Sequence, residues 1–317
     1  LVIEVAIVRP GPIQGGMVHP YLKRREALAA GTLQPSKYPA LDVALGRTLG
    51  VPIFQEQVMQ ICTIAAGFTP GEADQLRRAM AAWKRKGGLA QYYDKIVNGM
   101  TSRGYQREFA EAIFEQIKGF SEYGFPESHA ASFALLVYAS CWIKCHHPAE
   151  FLAAMLNSQP LGFYSASQLV QDAKRHGVEV RRVDVMCSEW DCTLEGLPHP
   201  PAVRLGLRLV VRLKAESALR ILEARRERPF DGAEDLARRA EIEQHEMTRL
   251  AAADALMSLA GHRRQQVWEA AGQRSAPQLL KQAPVNEEEL ELPAAPEGEE
   301  VVWDYAATGL TLRRHPL

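Results

Sequence analysis

Apolar residues recur at helical spacing through most of the first 160 positions. Within residues 55–66 they fall at Val58, Ile61, Cys62 and Ala65, an amphipathic-helix pattern, and Gly67, Pro70 and Gly71 mark its end. A second stripe, Ala73, Leu76, Met80 and Trp83, predicts another helix. At about 100° per residue, Arg77, Arg78, Lys84 and Arg85 fall on its adjoining face. Phe109, Ile113, Ile117 and Phe120 predict a third helix, and a turn-rich stretch over 119–129 leads into an apolar one over 130–144. From Gly177 the period changes. Segments 178–185, 190–194 and 203–211 alternate or run β-branched and predict a small sheet. Short helices are expected after it, over 214–226, 231–240, 244–253 and 259–271. The expected fold class is therefore mainly α with a small β component.

Composition narrows the class. The chain has 317 residues, 47 % hydrophobic and 24 % charged, which is the make-up of a globular protein of about two domains. The longest uncharged run in the middle of the chain, 130–143, is too short for a bilayer span, which needs about 18–20 apolar residues, so no membrane partner is expected. No leader pattern opens the chain. The first residue is Leu1 within an apolar stretch, so a piece of a longer protein is expected. Five cysteines, an odd number, argue against a disulfide framework and for a reducing, cytoplasmic compartment. Cys141 and Cys145 share a helical face before His146 and His147, but they lie in the apolar run and are read as core thiols, not metal ligands.

Charge is uneven although the net value is −1. Seven glutamates and no base lie between 287 and 300, and Pro/Ala/Glu-rich residues 272–300 are read as a flexible linker. Residues 77–107 carry eight bases against Asp94 alone, a local +7 that suggests a polyanionic partner or else a solvated stripe. Ser128 and His129 sit where the apolar helix starts. There, unpaired N–H groups offer either an anion site or simply a place for a capping serine. The short helices after the sheet fit either a helix-hairpin-helix unit or a plain bundle.

Several ordered blocks carry a resemblance. Arg9-Pro-Gly-Pro12, Gly16-Met-Val-His-Pro20, Phe54-Gln-Glu-Gln-Val-Met-Gln60, Glu72-Ala-Asp-Gln-Leu-Arg-Arg-Ala-Met80, Tyr123-Gly-Phe-Pro-Glu-Ser-His-Ala-Ala131 and His147-Pro-Ala-Glu-Phe-Leu152 resemble bacterial C-family DNA polymerases, the polymerase III alpha-subunit family. Ala81-Ala-Trp-Lys-Arg-Lys-Gly-Gly88 and Leu156-Asn-Ser-Gln-Pro-Leu-Gly-Phe-Tyr164 resemble its error-prone, translesion branch.

The resemblance implies the end of a palm and a helical fingers domain over 1–165. It also implies a sheet with a helix-hairpin-helix domain over 166–271 and the start of a truncated domain over 301–317. It implies a DNA-directed DNA polymerase, a nucleotidyltransferase adding dNTPs to a primer 3′ end. The Mg2+ ions of that reaction would be held by palm aspartates upstream of Leu1, with no catalytic residue in this segment, which is expected to be inactive alone.

By resemblance, Arg77, Arg78, Lys84, Tyr123, Ser128 and His129 face the nucleotide. Arg85, Lys86, Arg212, Lys214, Arg220, Arg225, Arg226, Arg263 and Arg264 are expected on DNA. Primed template and dNTP are the implied partners, with a sliding clamp and mutagenesis accessory proteins beyond them. Gln278-Leu-Leu280 is the one trace of a clamp-binding peptide near 273–283. Arg212-Leu-Lys214 stands where the family's first hairpin usually carries glycines. A non-catalytic DNA-binding scaffold, and a metal-dependent hydrolase built on His129, His146 and His147, are the competing readings.

Overall fold

The structure is a computed structural model that describes residues 1–8, 13, 16–86, 90–120, 126–196, 200–272 and 290–314, and the side chains of all these except 81–86, 90 and 120. Tyr123, the clamp-peptide trace at 278–280 and most of the expected linker lie outside the described residues. The side chains of Lys84, Arg85 and Lys86 do so too. The fold is mainly α with a small β component, in two compact units, Leu1–Ser140 and Cys141–Leu317.

In the first unit, α1 (Val2–Ile7), α2 (Val18–Ala29) and α3 (Asp42–Leu45) lead to four further helices: α4 (Gln55–Ala66), α5 (Pro70–Lys86), α6 (Ala90–Thr101) and α7 (Arg107–Phe120). Helix α4 packs against α5 and α6, and α7 closes on α6. The periodic positions are the core: Val58, Ile61, Cys62 and Ala65 from α4, Ala73, Leu76 and Met80 from α5, Ile113 and Ile117 from α7. Burial pushes the Cys62 thiol up to about 12, so it is an inert packing group.

The start of α4 is fixed by a buried polar side chain. Gln57 Oε1 accepts the N–H groups of Ile53 and Phe54 at 2.8 and 3.1 Å, while its Nε2 donates to the Ala44 carbonyl and Thr48 Oγ1 at 2.9 and 2.8 Å. All four of its hydrogen-bonding positions are used, which lets an amide sit in the core without penalty. Gly99 of α6 lies against α4 so closely that a Cβ there would come within 2.4 Å of the Ala66 carbonyl oxygen.

Helix α8 (Glu127–His146) departs from the sequence expectation. Only Ala130 and Ala134 of it are buried; Leu135, 74 % exposed, Leu136, Tyr138 and Trp142 all face solvent. Cys141 and Cys145 are exposed as well, so they are not the core thiols their apolar neighbours suggested. The reason is that α8 is apolar around its whole circumference, and periodicity cannot choose a buried side for such a helix.

The second unit is built on a three-stranded sheet of order β1-β3-β2, from β1 (Val180–Arg181), β2 (Thr193–Glu195) and β3 (Ala202–Arg204). β1 runs parallel to β3, and β2 antiparallel to it. Helix α9 (Pro148–Asn157) packs on β2 and β3 and α10 (Ala166–Arg175) packs on α9, so residues 148–157 belong to this core.

The strands are much shorter than the β-rich segments promised. The chain leaves β1 into a buried turn in which Ser188 Oγ donates to the Leu205 carbonyl at 2.7 Å and accepts the Asp184 N–H at 3.0 Å. After β3, residues Leu207–Leu209 form a 3-10 turn instead of strand.

Helices α11 (Ala215–Glu227), α12 (Ala233–Arg239), α13 (Gln244–Ala252), α14 (Met257–Ala260) and α15 (Arg263–Gly272) follow, and α16 (Glu297–Thr308) packs back on α13. The expected linker therefore stops short of residue 297: Glu297, Glu299 and Glu300 form the acidic first turn of a helix, where the dipole favours them. Ala307 and Leu310 join the second unit's core, and Val211 N–H donates to the Ala307 carbonyl at 2.9 Å. Among the described residues no helix is long and apolar enough to cross a membrane.

The close approach at Gly99 gives a test of this packing. Gly99→Ala should destabilise the first unit by about 1–3 kcal/mol, because backbone rather than a pliant side chain blocks the new methyl; chemical denaturation would measure it.

Candidate nucleic-acid interface

Helix α5 does place Arg77 and Arg78 on its solvent side, but they share a counter-ion. Arg77 Nε and Arg78 Nε donate to the two oxygens of Asp74 at 2.9 and 2.8 Å. Those bonds, that of Arg77 foremost, hold the Asp74 carboxyl below its ordinary range. Lys95 pairs with Glu72, whose carboxyl falls to about 2, and Arg107 pairs with Glu111 at 3.0 Å.

Widening the charge window from 77–107 to 72–111 brings in four acids and lowers the local charge from +7 to +3. These partners stand three to four positions along a helix from their arginines, or across one helix pair. The i, i+3/i+4 spacing of Asp74 with Arg77 and Arg78 was the signal that sequence reading passed over. Arg103 is structural: its guanidinium donates to the carbonyls of Ala66 and Gly99 at 3.3 and 3.0 Å.

Ser128 and His129 lie on the exposed first turn of α8. Ser128 is inside the helix, and its carbonyl accepts the Ser132 hydroxyl at 3.0 Å. The N–H of Glu127 donates to the Glu56 carboxylate at 3.1 Å, and the Glu127 carboxylate takes both Arg47 guanidinium nitrogens, one at 2.8 Å. An internal anion thus occupies part of the helix end where an external one was expected.

Of the nine expected DNA contacts, the seven in the second unit divide sharply. Arg225, 13 % exposed, donates to the carbonyls of Val185 and Ser188 at 2.9 and 2.8 Å and pairs with Glu189 at 2.8 Å. Arg220 donates to the Ala240 and Glu241 carbonyls, tying α11 to the end of α12. Arg263 is 2 % exposed and pairs with Glu300 at 3.3 Å and with Asp304, while Arg264 pairs with Glu299 at 2.9 Å. All four brace the fold, and the two most deeply covered, Arg225 and Arg263, cannot also reach a phosphate, whereas Arg220 and Arg264 keep 39 % and 35 % of their side chains exposed. Burial and pairing require the three-dimensional fold, so sequence could not separate them from exposed bases.

The exposed remainder among the described side chains is Arg212, Lys214 and Arg226, none with an ion-pair partner. Arg212 and Lys214 flank the turn entering α11. Arg212 has φ 63°, the left-handed conformation that glycine adopts at least cost, and its carbonyl accepts Arg249 Nη1 at 2.6 Å. The missing hairpin glycines therefore do not abolish the turn; a strained arginine makes it. Arg226, on α11, lines a shallow groove with Trp190, Asp191 and Leu222.

On the sheet, Arg181 and Arg204 stand opposite each other, and Glu195 lies between their guanidinium groups at 2.8 Å from each. Arg204 above all, then Arg181, holds the Glu195 carboxyl down against the effect of its partial burial. Among the described residues no three His, Cys, Asp or Glu side chains gather as a metal-ligating group, so the donors here do not fit a Mg2+ centre.

Stability measurements separate braces from exposed bases. Arg263→Ala should cost about 3–5 kcal/mol by leaving buried carboxylates uncompensated, and Arg225→Ala about 1–3 kcal/mol. Lys214→Ala and Arg226→Ala should stay within about 0.5 kcal/mol of the parent in the same denaturation assay. Because the folded Glu195 pKa is depressed, its contribution is present above the ordinary carboxylate value, about 4.3, and fades as pH falls through the folded one. Glu195→Gln should therefore lower the melting temperature at pH 7, and the gap to the parent should shrink by pH 3.

Residues 1–104 match the bacterial DNA polymerase III alpha subunit finger domain, and residues 177–266 match a helix-hairpin-helix motif. The whole chain is 56 % identical to an error-prone DNA polymerase of Methylococcus capsulatus, of which it covers 32 %. It is 58 % identical to that of Bordetella bronchiseptica, covering 30 %, and 57 % identical to that of Alkalilimnicola ehrlichii, covering 31 %. The chain thus spans about a third of the length of these curated relatives. Along its whole length it is similar to one segment of bacterial error-prone DNA polymerases, and it carries the finger domain of the polymerase III alpha-subunit family followed by a helix-hairpin-helix motif.

Proposed function

We propose that the chain is the nucleotide-positioning and DNA-gripping part of an error-prone DNA polymerase that extends a primer from dNTPs during translesion synthesis in the cytoplasm. The observation that carries this reading is the pairing of a finger-domain match with a helix-hairpin-helix match in one chain. In the second unit, Arg212, Lys214 and Arg226 meet backbone phosphates as charges without sequence preference, which suits an enzyme that must hold any template. The left-handed turn at Arg212 brings main-chain and side-chain donors to the same phosphate.

In the first unit, Arg77 and Arg78 exchange Asp74 for the triphosphate of an incoming nucleotide. Their charges then stabilise the pyrophosphate as it leaves, and Lys84, Tyr123, Ser128 and His129 complete the nucleotide-facing side. Asp74 keeps both guanidinium groups oriented until then. Mg2+, when bound by acids of the polymerase outside this segment, supplies charge neutralisation at the reacting phosphate. Sliding clamp and mutagenesis proteins are further partners on this reading.

The test uses the intact polymerase that contains this segment. Arg77→Ala and Arg78→Ala should each raise the KM for dNTP, or lower kcat, by about tenfold, the loss of one charge-assisted bond, with primer–template affinity unchanged. Unaltered nucleotide kinetics would contradict the role. DNA binding with no primer extension under any condition would instead favour a non-catalytic scaffold.

A further inference from the structure

The loop joining α9 to α10 holds two adjacent aromatic side chains out of the fold: Phe163 is 93 % exposed and Tyr164 59 %. The loop is not loose. Gln159 Oε1 accepts the Leu161 N–H at 3.0 Å, and Ser165 and Gln168 cap α10 reciprocally, with Gln168 N–H donating to Ser165 Oγ at 3.3 Å. At its base Asn157 is locked to Cys192 by two bonds, side-chain Nδ2 to carbonyl at 2.9 Å and N–H to Oδ1 at 2.7 Å. The neighbouring Trp190 and Asp191 line the groove onto which the unpaired Arg226 opens.

We propose that Phe163 and Tyr164 form a stacking platform for unpaired bases of single-stranded nucleic acid, with Arg226 meeting its backbone. This rests on the DNA-handling reading above and names a strand that the helix-hairpin-helix motif does not account for. Two rings offer at most about 400 Å², half of what one side of a stable protein interface buries, but the area of two stacked bases. Residues 157–171 contain no charged side chain, so this loop meets ring faces and leaves the backbone to Arg226, the one base among the described residues of a groove whose acids include Glu189, Asp191 and Glu223. Its contribution to affinity is accordingly independent of salt, unlike that of Arg226.

The experiment uses the 317-residue chain with a single-stranded oligo-dT containing one 2-aminopurine, and separately a blunt duplex. Phe163→Ala/Tyr164→Ala should weaken single-strand binding by at least about tenfold and abolish the stacking quench of 2-aminopurine. The ratio to the parent should be equal at low and high salt, and duplex affinity and melting temperature should not change. The conservative pair Phe163→Tyr/Tyr164→Phe should retain parent affinity.

The inference is overturned by a parent chain that binds duplex but not single strand. It is also overturned if the alanine pair binds single strands unchanged, or loses only self-association in sedimentation. A parent that binds single strands through these rings yet fails to bind duplex would instead overturn the broader reading and leave this one standing.

Discussion

Arg263 has 2 % of its side chain exposed, and a charge so deeply buried persists only if opposite charge is buried with it. Glu300 and Asp304 supply that charge, Glu300 also takes Arg313 at 3.0 Å, and Arg313 reaches Glu297 at 3.1 Å. One consequence is architectural: α16 must dock on α15, since its first two turns carry the anions, Glu300 and Asp304, that α15 needs. The other is functional. Every guanidinium committed to such a pair, or to a ring of carbonyls as Arg225 is, drops out of the surface field that a polyanion would feel. What remains for phosphate is set by this internal demand more than by the number of bases in the chain.

The same rule acts more gently in the first unit. There the pairs of α5 and α7 are exposed, worth little to stability and open to exchange. Asp74 can release Arg77 and Arg78 to a competing anion because all three stand in water, whereas Glu300 cannot release Arg263 without stranding a charge. A brace and a contact can carry identical side chains; burial separates them.

Much of the helical architecture was legible from sequence for a physical reason. Residues 55–66, 70–86 and 107–120 present one apolar stripe each, and burying that stripe leaves a single orientation. Helix α8 offered no such stripe, so its exposed Cys141 and Cys145 looked buried. The sheet was overestimated because β-branched residues at 178–185 and 203–211 fill core positions in turns as readily as in strands. Glu297–Glu300 looked like linker because their arginine partners, Arg263, Arg264 and Arg313, lie 13 to 37 positions away. Of the candidate site, Arg212, Lys214 and Arg226 were expected on DNA by resemblance, and so were Arg220, Arg225, Arg263 and Arg264; only the fold tells which of these charges are spent in pairs.

The most direct measurement of that claim is the salt dependence of duplex binding, plotted as log K against log salt concentration. Replacing Arg212, Lys214 and Arg226 together by alanine should flatten the slope by about three units, near one per lost phosphate contact, in a chain that remains folded. A slope that stays as steep in the folded triple variant would contradict the account, because the phosphate contacts would then have to come from cations other than these three.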